Sequence, residues 1–237
     1  MTKFVAMSDL HGNLVDLSEP ADVLLLGGDI VPLNIQMNSY RSKMWFRDDF
    51  ISWVDRLPVS QVVMVGGNHD MYLEFHGIDK FREMVKNRGN ITYLENSCVD
   101  LGDDITIYGT PLCKPFGNWS FMISPDKQQK IYKEDLVGLR EKIEEGRKVI
   151  VLSHDAPLGC SDIILQKSCP WYTDDHIGNP QLRTFLEDLK PTLNIHGHLH
   201  STNHEAEYLN DGDTEVRCVS ILDENYRVAY EPYYFEL

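Results

Sequence analysis

Five apolar, strand-like segments of the sequence each end in a short polar cluster that contains Asp, Asn or His. These segments span residues 3–7, 22–26, 61–65, 148–152 and 192–195, and a sixth of similar composition spans residues 105–108. Short runs of β-branched and other apolar residues bounded by turn residues are typical of buried strands. Because ligands of open α/β sheets bind beyond the carboxyl ends of the strands, we expect the five clusters to meet in one site.

The polar clusters combine residues that suit divalent metal ions. They are Ser8-Asp9-Leu10-His11, Gly27-Gly28-Asp29, Gly66-Gly67-Asn68-His69-Asp70, Ser153-His154-Asp155 and His196-Gly197-His198-Leu199-His200. Residues two apart in an extended stretch point the same way, as Asp9 and His11 would. Carboxylate oxygen and imidazole nitrogen bind Mn²⁺, Fe²⁺ and Zn²⁺, and glycines leave room where the backbone approaches a crowded ion or phosphate. The sequence therefore predicts a metal site.

The segments between the predicted strands have helical spacing of apolar residues, at positions 44–57, 78–85, 131–143 and 182–189. Alternation of strands with helices predicts an α/β layered fold. The C-terminal section, residues 205–237, has alternating β-type sequence, and we expect it to form antiparallel strands that close a second sheet. No internal repeat or linker-like stretch interrupts the chain, so we predict a single domain over residues 1–237.

The composition narrows the classes of partner. The formal net charge is −15, and such an excess repels nucleic acid backbones and anionic lipid, which bind through Lys and Arg. We therefore expect a small substrate, no long nucleic acid and no membrane partner. The five cysteines are odd in number and include no CxxC pair, which favours reduced thiols. With no signal-like or membrane-spanning stretch in the sequence, we expect a cytoplasmic protein.

The order of the polar clusters resembles that of the calcineurin-like metallophosphoesterases. The motifs of that family are Asp-x-His, Gly-Asp, Gly-Asn-His followed by Asp or Glu, a lone His after a strand, and Gly-His-x-His, and all five occur here in that order between Asp9 and His200. Within the superfamily the chain is most similar to the small metallophosphoesterase-domain proteins, through residues 50–58, 67–70, 108–111, 153–159 and 176–178. The resemblance implies a four-layer α/β/β/α sandwich of two mixed β-sheets flanked by helices.

The resemblance also implies roles for individual residues. A first metal ion would be held by Asp9, His11 and His200, and a second by Asn68, His154 and His198. Asp29 would bridge the two ions. His69 would be catalytic without being a ligand, facing the substrate phosphate to stabilise the transition state or to protonate the leaving oxygen. Manganese is the first expectation for both ions, with iron, zinc, cobalt and nickel as alternatives.

A pair of such cations would favour hydrolysis by a metal-bound hydroxide. They can share a bridging water and lower its pKa, and the resulting hydroxide can attack phosphorus without a protein nucleophile. The predicted function is therefore hydrolysis of a small phosphate ester. The preference for a diester rests on the resemblance. The alternatives are a phosphomonoesterase or protein phosphatase, and a non-catalytic nucleotide-binding regulator on the same scaffold.

Several residues remain open to two readings. Each motif taken alone suits an ordinary turn or a surface histidine, and only their conjunction at five strand ends is specific. His176 either lines the substrate cleft or has a structural role. The loops at residues 111–125 and 159–180 carry Trp119, Trp171 and Tyr172, which either stack on a substrate group or anchor the loops. Asp70 and Asp155 either orient neighbouring histidines or cap turns. The oligomeric state is left open.

Overall fold

The first of two β-sheets holds the strands that precede the earliest polar clusters. A computed structural model describes residues 1–102, 104–165, 167, 170 and 172–237 of the chain. In it β1, β2, β3 and β4 lie parallel, and β11 pairs antiparallel with β1 to give the order β11-β1-β2-β3-β4. The strands are β1 (Lys3–Met7), β2 (Ala21–Leu26), β3 (Val59–Met64), β4 (Ile91–Tyr93) and β11 (Tyr233–Glu236).

The second sheet has the order β5-β6-β7-β8-β10-β9. Its central strands β6, β7, β8 and β10 are parallel, while β5 and β9 pair antiparallel at the two edges. The strands are β5 (Ser97–Leu101), β6 (Ile105–Thr110), β7 (Lys148–Ser153), β8 (Leu193–His196), β9 (Glu207–Leu209) and β10 (Thr214–Cys218). Both sheets are therefore mixed.

Helices cover the outer face of each sheet. Against the first sheet, α1 (Ser39–Trp45) continues through a π-helical turn (Phe46–Phe50) into α2 (Ile51–Val54), and α3 (Met71–His76) continues through a second π-helical turn (Gly77–Phe81) into α4 (Arg82–Val85). Against the second sheet lie α5 (Pro125–Glu144) and α6 (Pro180–Leu189). A short 3-10 helix spans Asn210–Gly212. Among the described residues, no helix has the length and apolar character needed to cross a membrane.

The alternation of side chains along the strands builds three apolar layers. In β1, Val5 and Met7 face α1 and α2, whereas Phe4 and Ala6 face the second sheet. The core between the sheets is completed by residues such as Val63 and Ile150, and a third layer packs α5 and α6 on the outer face of β7. This order of layers is the α/β/β/α sandwich that the family resemblance implies.

The C-terminal section departs from the prediction. Of its strands, β10 pairs parallel with β8, and only β9 is antiparallel within the second sheet. The last strand, β11, crosses to the first sheet and pairs with β1, with Lys3 opposite Glu236. The expectation that residues 205–237 only close the second sheet with antiparallel strands is therefore wrong. Alternation of apolar and polar residues identifies a strand without indicating which sheet accepts it.

Candidate metal centre

The loops that follow β1, β2, β3, β7 and β8 meet at one end of the sandwich. Backbone hydrogen bonds tie these loops together: the Asp9 N–H donates to the Gly28 carbonyl at 3.0 Å, and the Gly197 N–H donates to the His154 carbonyl at 3.1 Å. The carboxylate of Asp70 adds to this by accepting from the N–H groups of Ile30, Val31 and Gly67. The polar clusters of both sheets are thus held against one another.

Asp29 lies at the centre of the group. Its Oδ2 is 3.6 Å from His11 Nε2, 3.5 Å from His154 Nε2 and 3.9 Å from His69 Nε2. Its other oxygen, Oδ1, accepts a hydrogen bond of 2.7 Å from the His69 N–H. One carboxylate oxygen therefore faces imidazoles from three different loops, which is the position a carboxylate shared between two cations would need.

Asp9 gathers a second set of groups. Its Oδ1 is 3.4 Å from His200 Nε2, and both of its oxygens accept from the backbone N–H of His198. The Nδ1 of His200 donates to the Asp223 carbonyl at 3.0 Å, so its Nε2 faces Asp9. A histidine ligand is commonly oriented by such a hydrogen bond from its other nitrogen. Asp9, His11 and His200 form one compact group of possible ligand atoms.

His154 links the Asp29 group to the remaining predicted ligands. Its Nδ1 donates to the Gly27 carbonyl at 2.7 Å, and its Nε2 lies 3.0 Å from Asn68 Oδ1. The ring of His198 lies edge-on to that of His154, with centroids 5.1 Å apart. The structure therefore brings Asn68, His154 and His198 together, beside the Asp9–His11–His200 group.

The chemistry of the donor set fits divalent cations. Both ring nitrogens of His11 are buried without a hydrogen-bond partner among the described residues, although the carboxylate of Asp29 lies within 3.6 Å. A buried imidazole without a partner is costly, and a cation would supply one. None of the four cysteines that the structure describes joins the group, so its donors are the oxygen and nitrogen atoms that Mn²⁺, Fe²⁺ and Zn²⁺ accept.

The electrostatics of the group also favour cations. Burial alone would raise the pKa of Asp29, but the positive charges of His154 and His69 hold it well below its usual value. Burial alone would lower the pKa of His154, but the charge of Asp29 raises it to about 10. His200 behaves in the same way beside Asp9, with a pKa raised to about 9. Without metal, protonated imidazoles supply the charge that cations would otherwise bring.

Close backbone packing explains the paired glycines. A Cβ on Gly67 would lie 2.3 Å from Asp29 Oδ1 and 2.7 Å from the His154 ring, and a Cβ on Gly28 would lie 2.7 Å from His154 Nδ1. Gly28 also has a φ of +97°, in the left-handed region that L side chains rarely adopt. Any side chain at these positions would displace the groups around Asp29.

His69 is held at the edge of the group by a residue that the motifs did not indicate. Its Nδ1 donates to Gln36 Oε1 at 2.6 Å, which turns its Nε2 toward Asp29. The indole of Trp119 packs on its ring with centroids 4.5 Å apart. Gln36 comes from the stretch between β2 and α1, which has no metal-ligand spacing, so sequence reasoning had no signal for it.

Aromatic side chains border the group on two sides. The ring centroids of Phe116 and His198 are 5.3 Å apart, and the indole of Trp119 packs on the ring of His69. Phe116 and Trp119 both belong to the predicted functional loop at residues 111–125. On the other side Tyr226 packs edge-on to His11 and His200. Tyr226 follows the last motif of the sequence, and only the fold reveals that it reaches the site.

The remaining sequence predictions have varied outcomes. His176 does not join the metal group: its Nδ1 donates to Asp162 Oδ1 at 2.5 Å, and it lines a separate cavity of about 150 Å³ with Thr202 and Glu207. Asp155 binds the backbone N–H groups of Lys114 and Ala156 rather than orienting a histidine. In the loop at residues 159–180, Cys169 and Trp171 lie outside the described residues.

The fold and the motifs agree with a comparison against known families. The family model described as calcineurin-like phosphoesterase matches residues 2–202. The chain therefore belongs to the calcineurin-like phosphoesterases, and the family resemblance predicted from the sequence is confirmed. The family and the clustered carboxylates and imidazoles together support divalent metal binding.

Individual relatives are distant. The UPF0046 protein T07D4.2 of Caenorhabditis elegans is 26% identical over 263 residues, an alignment that covers 99% of this chain and 60% of that protein, so this chain spans 60% of the length of that relative. A dimetal phosphatase from Danio rerio has a TM-score of 0.60 at 12% identity, covering 92% of this chain and 86% of its own. The protein TT1561 of Thermus thermophilus has a TM-score of 0.58 at 13% identity, covering 92% of this chain and 88% of its own.

Proposed function

We propose that this protein is a binuclear metallophosphodiesterase that acts on small phosphodiesters. In this proposal one cation is held by Asp9, His11 and His200, a second by Asn68, His154 and His198, and Asp29 contacts both. Two bound divalent cations would lower the pKa of a water molecule and offset the negative charge of the phosphoryl group. Manganese is our first expectation for both ions.

The arrangement of His69 carries the proposal. Its Nε2 faces Asp29 at 3.9 Å, while its Nδ1 is committed to Gln36, so the ring is fixed with one nitrogen toward the proposed cations. In that position a protonated Nε2 can donate to a phosphoryl oxygen or give its proton to the leaving oxygen. His69 is also near enough to Asp29 and His11 to be a metal ligand itself. The test below separates the two roles.

Two observations support a small ester as substrate, and the description of a neighbour in fold bears on the kind of ester. The net charge of −15 disfavours a nucleic acid polymer. Phe116 and Trp119 border the site and offer flat apolar surfaces to an ester group. A neighbour in fold is described as a dimetal phosphatase. The same name leaves a monoester as the second candidate, and the ratio of kcat/KM for p-nitrophenyl phosphate and bis-p-nitrophenyl phosphate would decide between them. For location, our proposal remains the cytoplasm.

The first prediction concerns turnover by the manganese-loaded protein. We expect it to hydrolyse bis-p-nitrophenyl phosphate, and we expect His69→Ala to lower kcat by about 100-fold or more while manganese content stays the same. Steady-state kinetics and elemental analysis of the same preparations measure both. His76→Ala is the matched control, because His76 packs on Tyr72 away from the ligands, and it should retain wild-type kcat.

Two results would count against the proposal. The first is an absence of turnover by the wild-type protein with manganese, iron, zinc, cobalt and nickel on diesters and monoesters alike. The second is loss of one manganese ion in His69→Ala, which would make His69 a ligand and remove its assigned role toward the substrate.

A further inference from the structure

The loop after β10 forms a tight turn whose tip carries an aromatic residue. Asp223 organises this turn: its carboxylate Oδ1 accepts from the N–H groups of Asn225 and Arg227 at 2.8 and 3.0 Å, and its carbonyl accepts from the N–H of Tyr226 at 2.9 Å. The Asp223 carbonyl is also the acceptor for His200 Nδ1. One turn therefore orients a proposed ligand and presents Tyr226.

Tyr226 has an unfavourable backbone conformation. Its φ is +59°, in the left-handed region that Gly, Asn and Asp adopt readily and a bulky aromatic residue seldom does. A turn of this shape would form at lower cost with glycine or asparagine at this position. Strained residues of this kind concentrate at functional sites, so the conformation of Tyr226 indicates a functional role.

The position of the ring shows what this conformation achieves. Tyr226 lies edge-on to His11, with centroids 5.0 Å apart, and edge-on to His200, with centroids 5.3 Å apart. It is 42% exposed, so part of the side chain beside these two histidines faces solvent. No hydrogen bond of its hydroxyl to any described residue is present, although a phenol both donates and accepts.

We propose that Tyr226 contacts the substrate, with its hydroxyl donating a hydrogen bond to a non-bridging phosphoryl oxygen. This inference rests on the proposed function and adds a residue to it. A phosphoryl oxygen is the partner that the site would place next to the proposed first cation, and hydrogen bonds to charged oxygens are the stronger kind. A purely structural ring would be served equally well by phenylalanine, which gives the proposal a sharp test.

The decisive variant is Tyr226→Phe in the manganese-loaded protein. We expect its affinity for inorganic phosphate, measured by calorimetry, and its kcat/KM for bis-p-nitrophenyl phosphate each to fall by roughly 10- to 100-fold. Manganese content and thermal midpoint should match the wild type. Tyr208→Phe is the matched control, because Tyr208 is an exposed tyrosine on β9, and it should change neither quantity.

A second variant, Tyr226→Gly, tests whether the loss of phosphate affinity comes from the hydroxyl rather than from the ring. Glycine adopts the left-handed turn without strain, so this variant should fold and bind manganese, and it should lose phosphate affinity to within about threefold of the loss in Tyr226→Phe. Wild-type behaviour of Tyr226→Phe, or loss of manganese from it, would overturn the inference. If the wild-type protein itself neither bound phosphate nor turned over a diester, the proposed function would fail together with it.

Discussion

Several proposed ligands occupy the left-handed region of backbone space. The φ angles are +57° for Asp9, +42° for His11, +51° for Asp29 and +70° for His198. For a histidine this conformation costs on the order of 1 kcal/mol relative to an ordinary one, whereas an aspartate adopts it more readily. The chain tolerates this because the loops are over-determined by hydrogen bonds such as those to Asp70. The result is that side chains from separate loops turn toward one point.

A second prediction concerns Gln36, which binds Nδ1 of His69 at 2.6 Å. Gln36→Leu removes this acceptor, so the ring is free to rotate, and we expect kcat to fall by about tenfold with little change in KM. Gln36→Glu keeps an acceptor oxygen and should retain more activity than Gln36→Leu. Kinetics with bis-p-nitrophenyl phosphate measure both, with the exposed Gln129→Leu as control. Equal kcat in Gln36→Leu and the wild type would show that Gln36 does not position His69.

At this scale the sequence predicts much of the candidate site. Spacing and strand ends indicate Asp9, Asp29 and His154 as members of one group, and the structure brings them within reach of each other. The motifs do not indicate Gln36 or Tyr226, because each comes from a loop with no characteristic spacing. Their contribution depends on long-range packing, and a left-handed tyrosine has no signature in a sequence.

At the scale of elements, the start of α6 is tied to the site through one buried side chain. Asn179 Oδ1 accepts from the N–H groups of Gln181 and Leu182, while its Nδ2 donates to Gln128 on α5 and to Asp155. Asp155 directly follows His154. The side-chain amide of Asn179 thus links α5 and α6 to the loop that supplies the proposed ligand His154.

The third prediction is that Asn179→Ala lowers the free energy of unfolding by about 2–4 kcal/mol. It removes the helix cap and leaves the buried Oε1 of Gln128 without a donor, while Asp155 loses one of the groups that donate to its Oδ2 and keeps the Lys114 N–H. Urea unfolding of the metal-free protein measures the change. Thr184→Ala, at an exposed position of α6, should change the free energy of unfolding by less than about 0.5 kcal/mol. A cost below about 1 kcal/mol for Asn179→Ala would mean that water replaces the amide in this network.

The predictability of the elements followed their burial. The sequence predicts strands buried on both faces, such as β1, β2 and β7, to within a residue or two, because both of their faces are apolar. The sequence does not predict β4 and β5, since β4 is three residues long and β5 is a half-exposed edge strand. Helix α5 begins at Pro125, before the apolar stripe over residues 131–143. The first turns of the helix are mostly exposed, so they carry no apolar stripe that would predict them.

At the scale of the whole molecule, the proposed metal binding would be coupled to the release of protons. The charge of Asp29 overcomes burial to raise the pKa of His154 to about 10, and Asp9 similarly raises the pKa of His200 to about 9. Both imidazoles are therefore protonated at pH 7 in the metal-free protein. Coordination requires the neutral ring, so in the proposed ligand assignment each imidazole would release its proton when a cation binds.

The fourth prediction is that manganese binding at pH 7 releases roughly two protons, and that affinity rises as the pH is raised from 6 to 8. Protons compete with the metal throughout this range because it lies below both pKa values. Calorimetry in buffers of different ionisation enthalpy counts the protons. His176→Asn should release the same number, since His176 pairs with Asp162 outside the metal group. Binding that is independent of both buffer and pH would contradict the prediction.

The proposed ligands are divided between the two sheets. Strands of the first sheet precede Asp9, His11, Asp29 and Asn68, and strands of the second precede His154, His198 and His200. Any sliding of one sheet over the other would alter the spacing between the proposed ions. Residues of the middle apolar layer, such as Val63 and Ile150, therefore help to set the distance between the two groups of proposed ligands. A change of side-chain volume at Val63 or Ile150 would shift one sheet against the other. The spacing between the proposed ions would then change without any change to a ligand.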